Sequence, residues 1–374
     1  MQTELVNEAR RQIEICNACR YCEGYCSVFP AINRERAFAE GDVTQLANLC
    51  HNCRGCYYAC QYIEPHEFAL NLPRALAEVR QDSWQDFAVP SILARAFHRS
   101  GVAIALATVF CFALMIWAIR ALGEHAQGGE GFYAVISHNA LVVIFAPAFL
   151  FPLLSIFLGL RSYWAAVGGG PVRMSDIISA FGSAAQMKNL AGGHGDGCNF
   201  EDEDRFSNAR RWRHQMVMYG FLLCFAATCV ATVMHYLLDL QAPYGFFSLP
   251  KLLGVPGGIL LSVGTLAMIE LKMKSDRELA DSSVWGGDMA FILLLFLVST
   301  SGLALYAFGG TEALTALLIL HLGSVLALFL LTPYSKMAHG FYRLAALAKE
   351  AQKQNPPRSA ASAAVVGEPK ELRS

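Results

Sequence analysis

Charge is scarce in this chain: 16% of its 374 residues are Asp, Glu, Lys or Arg, against 55% that are hydrophobic. That balance excludes an ordinary water-soluble domain and points to a membrane protein. Neither sign prevails, since the formal net charge is −1, and no nucleic-acid partner is expected. A secretory leader is missing as well. Met1 to Ile15 carries Glu4, Glu8, Arg10, Arg11 and Glu14 with no apolar run, so the segment behind it is expected to start and stay in the cytoplasm. No GxGxxG fingerprint follows a strand, which places any dinucleotide or flavin cofactor on a separate subunit.

Cysteine, by contrast, is concentrated. Eight of the twelve fall into two copies of one spacing, Cys16-x2-Cys19-x2-Cys22-x3-Cys26 and Cys50-x2-Cys53-x2-Cys56-x3-Cys60. Two-residue gaps let one turn of chain present three sulfurs to three irons, and a fourth arrives from elsewhere, the pattern of a 4Fe-4S cluster. Zinc sites also use paired CxxC motifs, but a third cysteine so close has no role there. Disulfides suit neither the spacing nor a reducing compartment. In two-cluster ferredoxins the last cysteine of each run serves the other cluster. The expected ligand sets are therefore Cys16, Cys19, Cys22 and Cys60 for cluster 1, and Cys50, Cys53, Cys56 and Cys26 for cluster 2. The proline that usually follows the fourth cysteine is displaced to Pro30 and Pro65, which favours a helical domain over the small bacterial ferredoxin fold.

Between the runs, Phe29 to Leu49 reads as a helical connection broken at Gly41-Asp42. Phe68 to Arg80 repeats apolar residues at Leu72, Leu76 and Val79, as an amphipathic helix does, with His66 and Glu67 as plain surface residues ahead of it. Gln81 to Ser100 reads as a linker. Six apolar stretches follow, about Gly101 to Leu122, Asn139 to Leu160, Met216 to Leu238, Leu252 to Leu271, Met289 to Phe308 and Leu314 to Leu331. Each approaches the roughly 20 residues that cross a hydrocarbon core.

Basic residues orient these spans. Arg95, Arg99, Arg161, Arg173, Lys188, Arg205, Arg210, Arg211, Arg213, Lys272, Lys274 and Arg277 lie on one side, with Arg120 and Lys251 opposite. Both termini are thus expected in the cytoplasm of a multi-pass inner-membrane protein. The expected domains are 1–90, cytoplasmic with two clusters; 91–345, six membrane spans; and 346–374, a disordered cytoplasmic tail rich in Pro, Ala and Ser.

Ionisable groups inside spans are functional candidates. His321 lies within the sixth span, and His339 follows eighteen residues later. On one continuous helix that interval is five turns, about 27 Å along one face. The third span offers His214 at its entry and His235 near its far end. Antiparallel spans bring His214 level with His339 (inner haem) and His235 level with His321 (outer haem), the arrangement that one or two bis-histidine b-type haems need. Interfacial histidines hydrogen-bonded at the headgroups are the alternative. His138 is a weaker candidate ligand; His125 and His194 fall in loops.

The run from His321 to His339, with its Pro333-Tyr334-Ser335-Lys336 exit, resembles the last haem-bearing helix of the respiratory nitrate reductase gamma subunit family. Over about residues 10 to 350 the chain resembles the tricarballylate-utilisation protein B family, also called citrate-utilisation protein B. The matching motifs are both cysteine runs, Pro65-His66-Glu67-Phe68-Ala69, the loop Gly192 to Asn199, and Arg211-Trp212-Arg213-His214. The resemblance implies a carrier that takes electrons from the reduced flavin of a cytosolic dehydrogenase acting on tricarballylate and delivers them to the membrane quinone pool.

The fold expected is all-α: a helical, two-cluster ferredoxin-type domain fused to a six-helix transmembrane cytochrome b bundle. Arg211, Arg213, Tyr334 and Lys336 are candidates for binding quinone near the inner haem, or for anchoring lipid headgroups. The loop Gly192 to Asp204, with His194, Cys198, Glu201, Asp202, Glu203 and Asp204, reads as a metal site or as a solvated connector that docks against the clusters. Cys111, Cys224 and Cys229 read as small packing residues. Two rival readings stay open: a quinol-driven reductase of a cytosolic acceptor, and a membrane-anchored iron-sulfur sensor without haem.

Overall fold

The computed structural model describes residues 2–26, 28–121, 131–201 and 203–355; His125, Asp202 and most of the predicted tail lie outside them. Helices make up the described residues, and the one β-type pairing is an isolated bridge between Cys198 and Ser207. Five helices form the N-terminal part: α1 Gln2–Cys19, α2 Val28–Arg34, α3 Glu40–Leu49, α4 Gly55–Tyr58 and α5 Leu72–Phe87. Asn71 caps α5 by accepting from the Arg74 amide at 3.2 Å, which fixes where the amphipathic helix begins. The connection between the runs breaks at residues 35–39, not at Gly41. That glycine lies inside α3, where a Cβ would come within 2.3 Å of the Ala166 carbonyl.

Among the described residues, six helices are long and apolar enough to cross a membrane. They lie in α6 Ser91–Ala121, α7 His138–Ala166, α9 Ala209–Leu237, α10 Leu249–Lys274, α11 Trp285–Phe308 and α12 Leu314–Leu331. A shorter helix, α8 Met174–Ala185, follows α7. Little of the predicted linker 81–100 is irregular: α5 runs on to Phe87 and α6 starts at Ser91, bending at Ser100 where φ is −143°. Outward apolar side chains such as Leu106, Phe110, Val143 and Phe157 cover the bundle, as a lipid-facing surface requires. Small residues let spans approach closely. A Cβ on Gly220 of α9 would lie 2.5 Å from the Leu261 amide of α10.

The last helix, α13 Ala338–Gln354, corrects two expectations. His321 and His339 do not share one helix, because α12 stops at Leu331 and residues 332–337 turn before α13 begins. Pro333 has no amide hydrogen to continue the ladder. Nor does a disordered tail begin at 346. α13 is amphipathic, and its Tyr342 and Ala346 join Phe29, Ile32, Leu46, Leu76 and Trp84, with Tyr163 of α7, in one core. Gln45 donates to the Ala346 carbonyl at 2.8 Å and accepts from the Tyr163 hydroxyl at 2.7 Å. Ion pairs join Arg34 to Glu350, and Lys353 to Glu35 and Asp42. Since α13 completes the core of the N-terminal part, both lie on one side of the bundle, as an even number of crossings demands.

Candidate functional site

The chain between α1 and α2 and the chain around α4 bring the cysteines into two interleaved groups. Cys16 faces Cys60, Cys22 and Cys19, around a hollow that all four line. Cys26 faces Cys53, Cys56 and Cys50, around an adjoining hollow. The fourth cysteine of each run thus crosses to the other group. Among the described residues no three His, Cys, Asp or Glu side chains converge on a point suited to one metal ion. A ring of thiols around a hollow suits a polynuclear cluster rather than a single zinc.

Electrostatics agree with that fit. Burial, reinforced by neighbouring thiols, pushes Cys16 up to about 12 and Cys22 up to about 11. Cys26 and Cys56 are also raised well above the usual thiol range. Crowded thiolates repel one another in a dry hollow, and a cationic iron core is what relieves them. Of the first group Cys19 is exposed and only Cys22 buried, whereas in the second Cys50 and Cys53 are buried and none is exposed, so the first group lies nearer solvent and the second deeper.

Loop 192–204 docks on the second group, one of the two outcomes its sequence left open. The Asn199 amide donates to the Cys53 carbonyl at 2.8 Å, and that of Gly193 to the Tyr25 carbonyl at 2.9 Å. His194 remains exposed, with one edge against Gly24 and Tyr25. Cys198 is 2% exposed and its thiol donates to the Leu190 carbonyl at 3.3 Å; the neighbouring Cys198 is the largest influence holding Cys53 well below the usual thiol range. The sequence marks Cys198 only as part of a loop that docks against the clusters; its place beside Cys53 is a tertiary contact that no spacing specifies.

Histidines lie next along the path into the membrane. His214 on α9 and His339 on α13 meet edge to face, 5.7 Å between ring centroids. That separation makes the two rings a candidate pair for one metal centre, each metal–imidazole bond spanning about 2 Å. The Lys336 carbonyl accepts from Nδ1 of His339, which leaves Nε2 with the lone pair, the tautomer of a metal ligand. Burial and the nearby His214 and Arg343 hold His339 well below the usual imidazole range, hence neutral. Nδ1 of His214 is buried without a hydrogen-bond partner. Two buried imidazoles of this kind are the donor type that an axial haem pair would require.

The second predicted pair is not assembled. His235 stacks on His138 at 4.2 Å, face to face, while His321 turns to α11, its Nδ1 3.0 Å from the Ser301 hydroxyl. A Cβ on Gly302 would come within 3.0 Å of the His321 ring. Depth matching failed here because it assumed the unbroken helix from His321 to His339.

Nor are the four quinone candidates gathered. Arg211 donates to the Gln186 carbonyl, and Arg213 pairs with Glu270. Tyr334 donates to the Val89 carbonyl at 3.0 Å, and Lys336 pairs with Asp288 at 3.2 Å. Each side chain is occupied by protein on a different element. His66 stays at the surface beside Tyr62 and Phe68.

Residues 9–86 match the family described as Citrate utilization protein B Fer4-like domain, and residues 95–361 match that described as Citrate utilization protein B. The Citrate utilization protein B of Escherichia coli is 43% identical over 350 residues, covering 93% of this chain and 92% of that protein. No solved structure matches.

Proposed function

Because this chain belongs to the citrate utilization protein B family, we propose that it is a membrane electron carrier. It takes electrons from the reduced flavin of a separate cytosolic dehydrogenase, by the resemblance one acting on tricarballylate, and delivers them to the quinone pool. Two 4Fe-4S clusters and a b-type haem, when bound, supply the one-electron steps between a two-electron donor and a two-electron acceptor.

The chain's own residues set the order. Cys16, Cys19, Cys22 and Cys60 hold the solvent-facing cluster, where a soluble partner docks. Cys26, Cys50, Cys53 and Cys56 hold the deeper one. His214 and His339 grip the haem at the mouth of the bundle, and the basic loops keep both termini in the cytoplasm against the inner membrane.

One observation carries this reading: the deeper thiols and the histidine pair are joined through the same two helices. Arg210 of α9 donates to the His51 and Asn52 carbonyls, each at 2.8 Å, and Arg343 of α13 to that of Cys50 at 3.1 Å. Arg210 and Arg343 each lie one helical turn from their histidine. The direct test is a reduced-minus-oxidised spectrum of purified chain with iron, sulfide and haem counts. About eight irons per chain and the paired bands of a low-spin b haem are expected. A full iron complement with no porphyrin would reduce the protein to a tethered ferredoxin.

A further inference from the structure

Three arginines from three helices close on the second cysteine run. Arg80 of α5 donates to the Cys50 carbonyl at 2.7 Å, Arg343 of α13 reaches the same oxygen, and Arg210 of α9 takes the next two carbonyls. None of the three pairs with a carboxylate among the described residues. The Nε atoms of Arg210 and Arg343 are buried without any hydrogen-bond partner. Nothing comparable surrounds the first group. Arg20 is exposed and bonded to the Asn17 carbonyl, and Arg11 is paired with Glu8.

Buried guanidiniums with no counter-anion are costly to keep. Arg343 registers that cost, burial and the nearby Arg80 lowering it to about 9. The anion that fits the enclosure is a cluster on four thiolates, whose negative charge deepens by one when an electron arrives. We propose that Arg80, Arg210 and Arg343 are positioning residues that raise the potential of the deeper cluster above that of the solvent-facing one, so that an arriving electron settles beside His214 and His339. This rests on the two-cluster reading above. Burial of the second group opposes added charge, but three unneutralised cations in a region of low dielectric outweigh it.

The experiment is a potentiometric titration of the full-length, cluster-loaded protein in detergent, followed by electron paramagnetic resonance. Two midpoints are expected, the higher belonging to the signal that a soluble paramagnetic ion does not broaden. Arg343→Gln should lower the higher midpoint enough to cut the reduced-to-oxidised ratio at fixed potential at least tenfold, about 59 mV for a one-electron couple. The lower midpoint should stay put, and Arg343→Lys should recover most of the loss. Should Arg343→Gln assemble poorly, Arg210→Gln and the wild-type assignment decide in its place. Equal midpoints, a higher midpoint at the solvent-accessible cluster, or unmoved midpoints in a fully loaded variant would overturn the proposal. Fewer than about eight irons in the wild-type chain would instead defeat the two-cluster reading.

Discussion

His214 and His339 stand edge to face at 5.7 Å, on helices that otherwise keep different company. α9 packs along α10 through Gly220 and Gly257, whereas α13 packs against α3, α7 and α8. Two imidazoles brought together from such different settings are, under the proposed function, the ligands of one haem.

Replacing either histidine by Ala is therefore expected to abolish the same haem. His214→Ala and His339→Ala should lose haem equally while keeping full iron and sulfide, and haem counts per chain will show it. Loss in one variant alone would sink the shared site. His235→Ala serves as the contrast, since its ring stacks on His138 and is expected to leave this haem in place.

The interleaving of the cysteines gives a crossed phenotype. Cys60→Ser is expected to cost the cluster built on Cys16, Cys19 and Cys22, although the serine lies in the other run, and Cys26→Ser the converse. Each variant should retain about half the iron, and the surviving resonance should differ between the two. If Cys60→Ser instead removes the signal that Cys50→Ser removes, the exchange is wrong.

α13 should matter to the N-terminal core as much as that core's own helices do. Tyr342 lies 5% exposed among Trp84, Phe87 and Tyr163. Its truncation to Ala leaves a cavity worth about 3–5 kcal/mol. Limited proteolysis of Tyr342→Ala is expected to cut within residues 1–90 at denaturant concentrations that the wild type survives. Unchanged resistance there would show that the aromatic cluster is not coupled to that core.

Lys336 provides a signed pH dependence. Burial is the largest influence and lowers its ammonium to about 8 from 10.5, Asp288 pulling the other way. The folded chain thus holds this proton more weakly than the unfolded one. Between those two values the unfolded state binds more protons, and the contribution of Lys336 to stability rises with pH. Below about 8 the burial penalty is complete. Melting temperatures of wild type and Lys336→Met, compared from pH 8 to 10, should diverge in slope, the wild type gaining more or losing less. Parallel slopes would remove Lys336 from the account.

Much of the cysteine arrangement was legible in the chain because ligand spacing is local: three sulfurs on one turn are fixed by three short gaps. The spans were legible too, since an uncharged run of about 20 residues has few other uses. What escaped was tertiary. A break at Pro333 spoils any depth argument drawn along an unbroken helix, and so His321 was wrongly set opposite His235. The second half of α13 reads in sequence as the start of a polar tail because its apolar positions make sense only beside α3 and Tyr163. The arginines around Cys50 come from segments remote in sequence, and no spacing rule links them.

The reach of α13 into the N-terminal core also bears on how the molecule is made. Residues 1–90 leave the ribosome first, yet a wall of their interior is supplied by residues 338–354, the last to be synthesised among those described. Until translation is nearly finished, the nascent N-terminal segment has an open flank, and its thiols wait unshielded while six helices enter the bilayer. Ribosome-stalled chains lacking α13 are therefore expected to expose this flank and to be the form that chaperones and proteases find.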